Sequence, residues 1–485
     1  MLTDFSSERA YGQSVLIQPD GRVVVVGTNW LGALSSDIAI ARYFSDGTLD
    51  ASFGSGGRVT SAGGGWSPPC YGALQSDGKI VVAGTHTSAF SAMRFMADGS
   101  VDISFGEGGQ VFTNISSFPL NENVLALVIQ SDGKILLAGR TASGHDADMA
   151  VVRYLPNGAL DEGFASGGIW VHAVSPLNDQ IRTVRQQPDG KLVLLGSASI
   201  GTLPFPASRF ALVRVTENGL LDGSFGTNGV SLIAAGTGQA GVYSGVLQTD
   251  EKILATGFSG YPALVTTIRC MSDGSLDETF GNGGVITTYV AQESAVGKDI
   301  VVQPDGKVLV VVECWEGTGP PHYTALMRYT PDGVLDEVFG NSGIAITSFT
   351  DRAIIPESLS LQSDGKPLVA GYSFQGMVTY FSVVRHLNDL EIGVHEINQF
   401  HPQIRVVPNP LSERLSLYFE LSIPDRISLH VVDAAGRVVR SLISNEMHTS
   451  GEHLVTYDLR GLPSGHYTLT FVGQVHAAQA PILIE

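Results

Sequence analysis

The stretch Gln130-Ser131-Asp132-Gly133-Lys134-Ile135-Leu136-Leu137-Ala138-Gly139 constrains the fold more than anything else in the chain, because it is written seven times. The other versions open at Gln18, Gln75, Gln187, Gln248, Gln303 and Gln362, so successive markers stand 55 to 61 residues apart. A second phrase follows each of the first six: an Arg closing an apolar run, a tight turn, then Leu-Asp-x-x-Phe-Gly or a near variant, as from Arg42 to Gly54, Arg214 to Gly226 and Arg328 to Gly340. A fixed period of this size is the signature of a repeat architecture. The repeats end near residue 386, leaving about a hundred residues of a different kind.

Within one unit the apolar runs are short, rich in Val, Ile and Leu, and separated by Asp-Gly or Asn-Gly, which is the pattern of strands joined by hairpins. Several turns place Pro before the pair, as in Pro19-Asp20-Gly21, Pro156-Asn157-Gly158 and Pro331-Asp332-Gly333. Proline fixes φ for the first corner of a type I turn and Gly takes the left-handed position after it, so a three-residue loop with a Gly bulge is expected. That register sets Asp336 opposite Arg328, and the same offset of eight recurs in Arg42 and Asp50, Arg94 and Asp102, Arg153 and Asp161, Arg214 and Asp222, and Arg269 and Asp277. These are read as structural ion pairs, since opposite charges across a hairpin stabilise it. Each unit becomes a four-stranded meander: strand A up to the Gln, strand B to Ala-Gly, strand C to the Arg, and strand D through Leu-Asp-x-x-Phe-Gly. Stacked solenoid turns have no need of two hairpins per unit, whereas radially arranged sheets do. The predicted fold is all-β: a seven-bladed β-propeller of four-stranded antiparallel blades over residues 1–395, a linker at 396–403, and a small C-terminal β-sandwich at 404–485.

Composition agrees with many turns and half-buried strands: glycine supplies 58 of 485 residues and charged residues only 15%. A net charge of −19 argues against a duplex phosphate backbone as partner. Cys70, Cys270 and Cys314 fall in different repeats at no metal-ligand spacing, and neither a metal nor a cofactor motif is present. No apolar run approaches the ~18 residues of a membrane span, and a monomer is expected.

The array fits a closed ring with a flaw. After Arg385 stands Leu387-Asn388-Asp389-Leu390 in place of the second phrase, and Met1 to Phe5 begin where other units are already partway through. Either a precursor continues upstream, carrying the missing strand and a signal peptide, or residues 387–396 close the ring alone.

The paired phrases resemble the delta-60 repeat of large secreted or surface bacterial proteins, over roughly residues 1–395, a resemblance that implies a propeller and an extracellular setting and brings no catalytic residues. Departures are local: Glu251 replaces a turn Gly and Ala165 the Gly after Phe164. The last eighty residues resemble the C-terminal sorting domain of the type IX secretion system of Bacteroidetes. The matching residues are Pro408, Asn409 and Pro410, the run from Asp433 to Gly436 and Arg437, Gly451 to His453, and the run from Leu462 through Gly465 to Tyr467. This resemblance implies export by the secretion machinery and a secreted or surface location.

The A–B and C–D hairpins are nearly uniform, whereas the B–C loops and D-to-A crossings vary, so function is expected on the face where repeats differ. Candidate ligand-binding residues there are Trp30, Trp66, His86, His145, Tyr261, Trp315, His322 and Tyr323, since exposed aromatics with polar neighbours suit a glycan or a protein. His145 and Asp148 make a weak acid/base pair, because Asp148 holds the place relative to Arg153 that Asp37 holds to Arg42. Gly-x-Ser-x-Gly, His-Glu-x-x-His and phosphate-loop motifs are absent. A non-enzymatic binding propeller is the preferred reading. A polysaccharide lyase or hydrolase drawing on Asp37, Asp148, Glu313 and Glu316 is the alternative, and a structural spacer the third.

Overall fold

The computed structural model describes residues 2–5, 9–32, 35–61, 64–116, 122–143, 146–201, 206–236, 238–290, 294–315, 322–348, 352–375, 378–386, 405–407, 414–421, 425–433, 437–449, 451–472 and 477–484. Two units emerge from the contacts, Met1–Glu391 and Ile392–Glu485. The linker read at 396–403 lies outside the described residues.

The first unit is a seven-bladed propeller of antiparallel sheets. Blade five is representative: strand A is Ala240–Leu247, B is Ile253–Ser259, C is Leu264–Cys270 and D is Val285–Thr288, hydrogen-bonded in that order. The A strands of the seven blades begin at Ala10, Trp66, Asn123, Asp179, Ala240, Ser294 and Ala353. Each A strand contacts the A strands of both neighbours, blade seven returning to blade one, so these strands line the axis. Strand B is apolar on both faces because both are covered: Val23, Val24, Val25 and Val26 are all buried. Every pair of adjacent blades shares an apolar layer, such as Leu254, Val265 and Phe280 against Val308, Val310 and Cys314.

Strand D departs from the sequence reading. Leu-Asp-x-x-Phe-Gly is not strand D but a tight fold beside the end of C, with an isolated bridge such as Tyr329 with Leu335 and turn hydrogen bonds such as Asp336 N–H to Arg328 O at 2.9 Å; the paired strand follows it, at Ile344–Thr347 in blade six. The Phe turns inward instead of alternating along a strand, and Phe53, Phe105, Phe164, Phe225 and Phe280 are fully buried.

The ring closes through the N-terminal segment. Leu2–Thr3 pair with strand C of blade seven (Val378–Arg385) as its fourth strand, Leu2 opposite Ser382 and Thr3 opposite Phe381. Phe5 packs on Phe381 with ring centroids 4.7 Å apart, and the Thr3 and Tyr43 hydroxyls meet at 2.5 Å. Of the two closures open to the sequence, the segment proposed for residues 387–396 lies outside the described residues, and the place of the outer strand is taken by the N-terminus.

Arginine clasps tie the blades together. Arg42, Arg94, Arg153, Arg214 and Arg269 set Nε 2.8–2.9 Å from their Asp partners, and Arg328 sets Nη2 2.8 Å from Asp336. Each of these six guanidinium groups covers the Phe of its own second phrase at 4.3–4.8 Å. The first five donate Nη1 to a carbonyl of the following blade, at Ala97, Pro156, Glu217, Ser272 and Pro331. Arg385, whose repeat has no Asp, still donates to Ser45 O of blade one at 3.0 Å.

The second unit has a sheet of Arg405–Val407, Arg414–Leu421 and Gly451–Asp458, and a sheet ordered Val438–His448, Asp425–Val432, Gly465–Val472, Ala477–Ile484. Both contribute to one core, including Leu415, Leu417, Phe419, Leu429, Phe471 and Ile482, as in a β-sandwich. Arg437 pairs with Asp433 at 2.7 Å and the Tyr467 hydroxyl donates to Pro463 O at 2.8 Å, fixing two of its turns. Pro408, Asn409, Pro410 and Gly436 lie outside the described residues, while Gly465 opens a strand.

Candidate ligand site on the propeller axis

The inner strands share one irregularity. In six blades strand A carries an extra residue five positions before the marker Gln: Gln13, Leu125, Arg182, Tyr243, Lys298 and Glu357. In blade two the irregularity comes earlier, at Pro68 and Pro69. A bulge re-aims the side chain it carries. It accompanies the Gly that ends six of the seven strand-B phrases, Val312 standing there in blade six: a Cβ on Gly139, Gly196, Gly257 or Gly371 would lie 1.8–1.9 Å from a carbonyl oxygen of strand A.

Four consecutive bulges form a continuous polar wall. The Arg182 guanidinium sits 5.0 Å from the Tyr243 ring centroid, and Lys298 Nζ approaches the same ring at 5.2 Å. Lys298 Nζ then lies 3.0 Å from Glu357 Oε1 and 3.3 Å from Glu313 Oε2. Glu313 belongs to a second column, ten positions after the marker, made of Thr28, Thr85, Arg140, Ser197, Phe258, Glu313 and Tyr372. Members of this column reach the next blade's strand A: Thr85 accepts from Val124 N at 3.0 Å, Ser197 from Val242 N at 3.2 Å, and Tyr372 packs edge-on to Tyr11 at 5.0 Å.

Burial pushes the Glu313 and Glu357 carboxyls above the usual carboxylate range, with Lys298 pulling them back. For Lys298 burial works downward, but the two carboxylates outweigh it and leave it raised. Below this wall, Asp299 accepts from Ser244 Oγ at 2.6 Å and from Leu359 N at 2.7 Å, joining blades five, six and seven. Its carboxyl is raised by burial, opposed by those donors and by Arg185 of blade four. Tyr71 of blade two stands close enough to Arg182, Tyr243 and Glu357 for their charges to bear on its phenol, which burial raises strongly. A tyrosine where other blades have Ser14, Thr183, Ser244 or Ser358 narrows the axis. The cluster reaches from mid-strand toward the variable-loop end, since Lys298 is the middle residue of Ser294–Val302 and Glu313 stands two residues before the end of Val308–Trp315.

The residues predicted from the sequence do not converge. Trp66 is not on a crossing; it opens strand A of blade two, where alternation turns it into the blade one–two core at 1% exposure. Tyr323 likewise belongs to strand C of blade six and is buried in the blade five–six layer. His86 is wedged between Trp66 and Phe112, with Nε2–H donating to Gly64 O at 3.1 Å, and burial lowers its pKa. Trp30 is half-buried under Arg9 at 4.7 Å, Trp315 is half-buried at the end of strand B in blade six, and Tyr261 stands fully exposed. His145, Glu316 and the side chain of His322 lie outside the described residues. Glu313, read as a loop residue, is on a strand and faces the axis. Asp148 pairs with Thr141 inside blade three, and Asp37 accepts from Gly64 N at 2.9 Å. Among the described residues no group of three or more His, Cys, Asp or Glu could hold a metal ion, and no helix is long and apolar enough to cross a membrane.

The axial columns carry a signal in the sequence. Strand A is apolar or small at most positions, yet one column of an otherwise uniform repeat reads Gln, Cys, Leu, Arg, Tyr, Lys, Glu. Aligning repeats by marker, rather than by loop, exposes it.

Fold and terminal module together define an exported repeat β-propeller. Residues 18–53, 75–105, 130–164, 187–225 and 303–339 match the family described as a domain of unknown function (DUF5122) beta-propeller, and residues 405–485 match the secretion system C-terminal sorting domain. The chain therefore carries DUF5122 propeller repeats, of the delta-60 kind, followed by a type IX sorting domain, which supports a secreted or cell-surface location. The fifth and seventh repeats fall outside the match; the fifth has Glu251 for its turn Gly and the seventh lacks Leu-Asp-x-x-Phe-Gly. No curated protein matches the chain. Similar solved structures include virginiamycin B lyase from Staphylococcus aureus, at 12% identity and TM-score 0.46, covering 79% of this chain and 98% of that one. Polysaccharide lyase Uly1 is similar at 11% and 0.42, covering 77% and 89%. The propeller domain of the Trilobed protease from Pyrococcus furiosus is similar at 11% and 0.40, covering 79% and 97%. These are likenesses of shape, and what those proteins act on stays with them.

Proposed function

We propose that this exported propeller is a non-enzymatic glycan-binding protein whose ligand enters the axis from the variable-loop face. The observation that carries the reading is the wall of Arg182, Tyr243, Lys298 and Glu357, polar side chains gathered at a strand-A column where the scaffold stops repeating. Sites on repeat scaffolds belong where units differ, and an aromatic ring among charged donors and acceptors suits a hydroxyl-rich ligand. Trp30 and Trp315 stand near the variable-loop ends of strand B in blades one and six. A hydrolase would need two carboxyl groups free to act on opposite sides of a bond; Glu313 and Glu357 instead share one ammonium.

The test is a glycan-array screen of the full chain. Binding by the wild type, abolished in a Lys298→Met, Glu357→Gln double variant and weakened in Trp30→Ala, Trp315→Ala, supports the reading. A silent array with folded protein, or an axial variant that binds as well as wild type, overturns it.

A further inference from the structure

The axial wall is divided by charge. Blades six and seven contribute Glu313 and Glu357, already neutralised in part by Lys298. Blades three and four contribute Arg140 and Arg182, both half-buried, and these differ from the clasp arginines of the propeller. The clasp arginines each have a carboxylate or carbonyl in reach, whereas among the described residues neither Arg140 nor Arg182 has an ion-pair or hydrogen-bond partner, and the Nε of each is buried and unsatisfied. The Arg182 guanidinium instead lies over the Tyr243 ring. Arg140 holds the place in blade three from which Thr85 and Ser197 reach the next blade's strand A in blades two and four, which sets it beside Ile181 and Arg182. Their like charges act on one another: burial lowers the Arg140 pKa and Arg182 lowers it further. Glu357 feels the charge of Arg182 without pairing directly with it, and two adjacent guanidinium groups that lack a directly paired carboxylate cost stability unless something else supplies one; the chain, at −19, has no shortage of carboxylates that could have been placed there.

We infer that Arg140 and Arg182 form an anion subsite for the carboxylate of an acidic sugar, so that the ligand is a uronate-bearing glycan. The inference rests on the glycan-binding reading above. A planar guanidinium matches a carboxylate in two parallel hydrogen bonds, and the sugar's hydroxyls would face the carboxylates of blades six and seven, which accept hydrogen bonds. A fully anionic ligand without hydroxyls would meet Glu357 and Glu313 unfavourably, which favours a sugar acid over a bare polyanion.

The experiment is calorimetric titration of the full chain with gluco-, galacto-, manno- and guluronate oligomers, each as the free acid and as the methyl ester, beside their neutral parent oligosaccharides. At least one free acid should bind, with its ester at least about tenfold weaker. Arg140→Gln and Arg182→Gln should each weaken the acid by a similar factor while the ligand-free thermal midpoint stays level or rises, and Arg182→Lys should recover part of the loss. Equal binding of acid and ester overturns the carboxylate subsite and leaves the glycan reading standing. Binding of no oligosaccharide overturns both. Arginine variants that lose binding together with thermal midpoint would make the pair structural, against the inference.

Discussion

At the residue scale, the clasp is the unit of stability. Asp277 receives Arg269 Nε at 2.8 Å and Lys252 Nζ at 3.1 Å while almost fully buried, whereas Asp250, also near Lys252, is half exposed. Asp277→Ala leaves a buried guanidinium without its carboxylate and should cost about 3 kcal/mol in a denaturant titration; Asp250→Ala should cost less than about 0.5 kcal/mol. The spacing of eight shows the Arg and Asp columns plainly, because loop length sets hairpin register. It cannot show that the same guanidinium crosses to the next blade, which depends on how sheets pack. The pH dependence has two opposed parts. Burial works to raise the Asp102 and Asp277 carboxyls, but hydroxyl, amide and cationic donors outweigh it and hold them well below the usual range. Their stabilisation is full above the unfolded value of about 3.9 and is lost as pH falls through the lower folded value. Glu313 and Glu357 are raised, so their contribution is present below about 4.3 and declines as pH rises through their folded values. A thermal-midpoint series should fall steeply below pH of about 4, and Glu357→Gln should flatten the gentler decline above it; a variant with the wild-type profile would contradict this assignment.

At the element scale, the repeat makes each strand legible and hides two features. Strand D is displaced from where its phrase suggests, because the Phe of Leu-Asp-x-x-Phe-Gly is drawn under the Arg and folds the segment back before pairing begins. Closure stood open between the N-terminal strand and residues 387–396, since a two-residue strand such as Leu2–Thr3 has no pattern of its own; its docking is set by Phe5 against Phe381. Phe5→Ala should cost roughly 3 kcal/mol and expose strand C of blade seven to limited proteolysis first, whereas a cleavage pattern starting elsewhere would deny the N-terminus its closing role. The turns make a smaller prediction. Glu251 holds φ of +65° where the other six A–B turns have Gly at +80° to +86°, so Glu251→Gly should stabilise by up to about 1 kcal/mol in equilibrium unfolding.

At the scale of the whole molecule, a uniform scaffold surrounds an axis that is not uniform, and a separate sandwich carries the export signal. The architecture was readable because seven copies state the same rules; the axial site shows in the sequence only as one varying column of seven scattered residues, and nothing there says that a bulge turns it inward. Fusing residues 405–485 to a reporter with a secretory signal peptide, in a host with the type IX system, should deliver the reporter outside the cell, and retention in the periplasm would contradict the assignment of that unit. The central claim is that ligand is held on the axis and not on the perimeter or the hairpin face. Amide hydrogen exchange of the full chain, with and without the glycan that binds best, tests it most directly. Slowed exchange confined to the strand-A segments around Arg182, Tyr243, Lys298 and Glu357 and to the nearby ends of strand B is the predicted result; slowed exchange in the A–B and C–D hairpins or in the outer strands, with the axial segments unchanged, would contradict it.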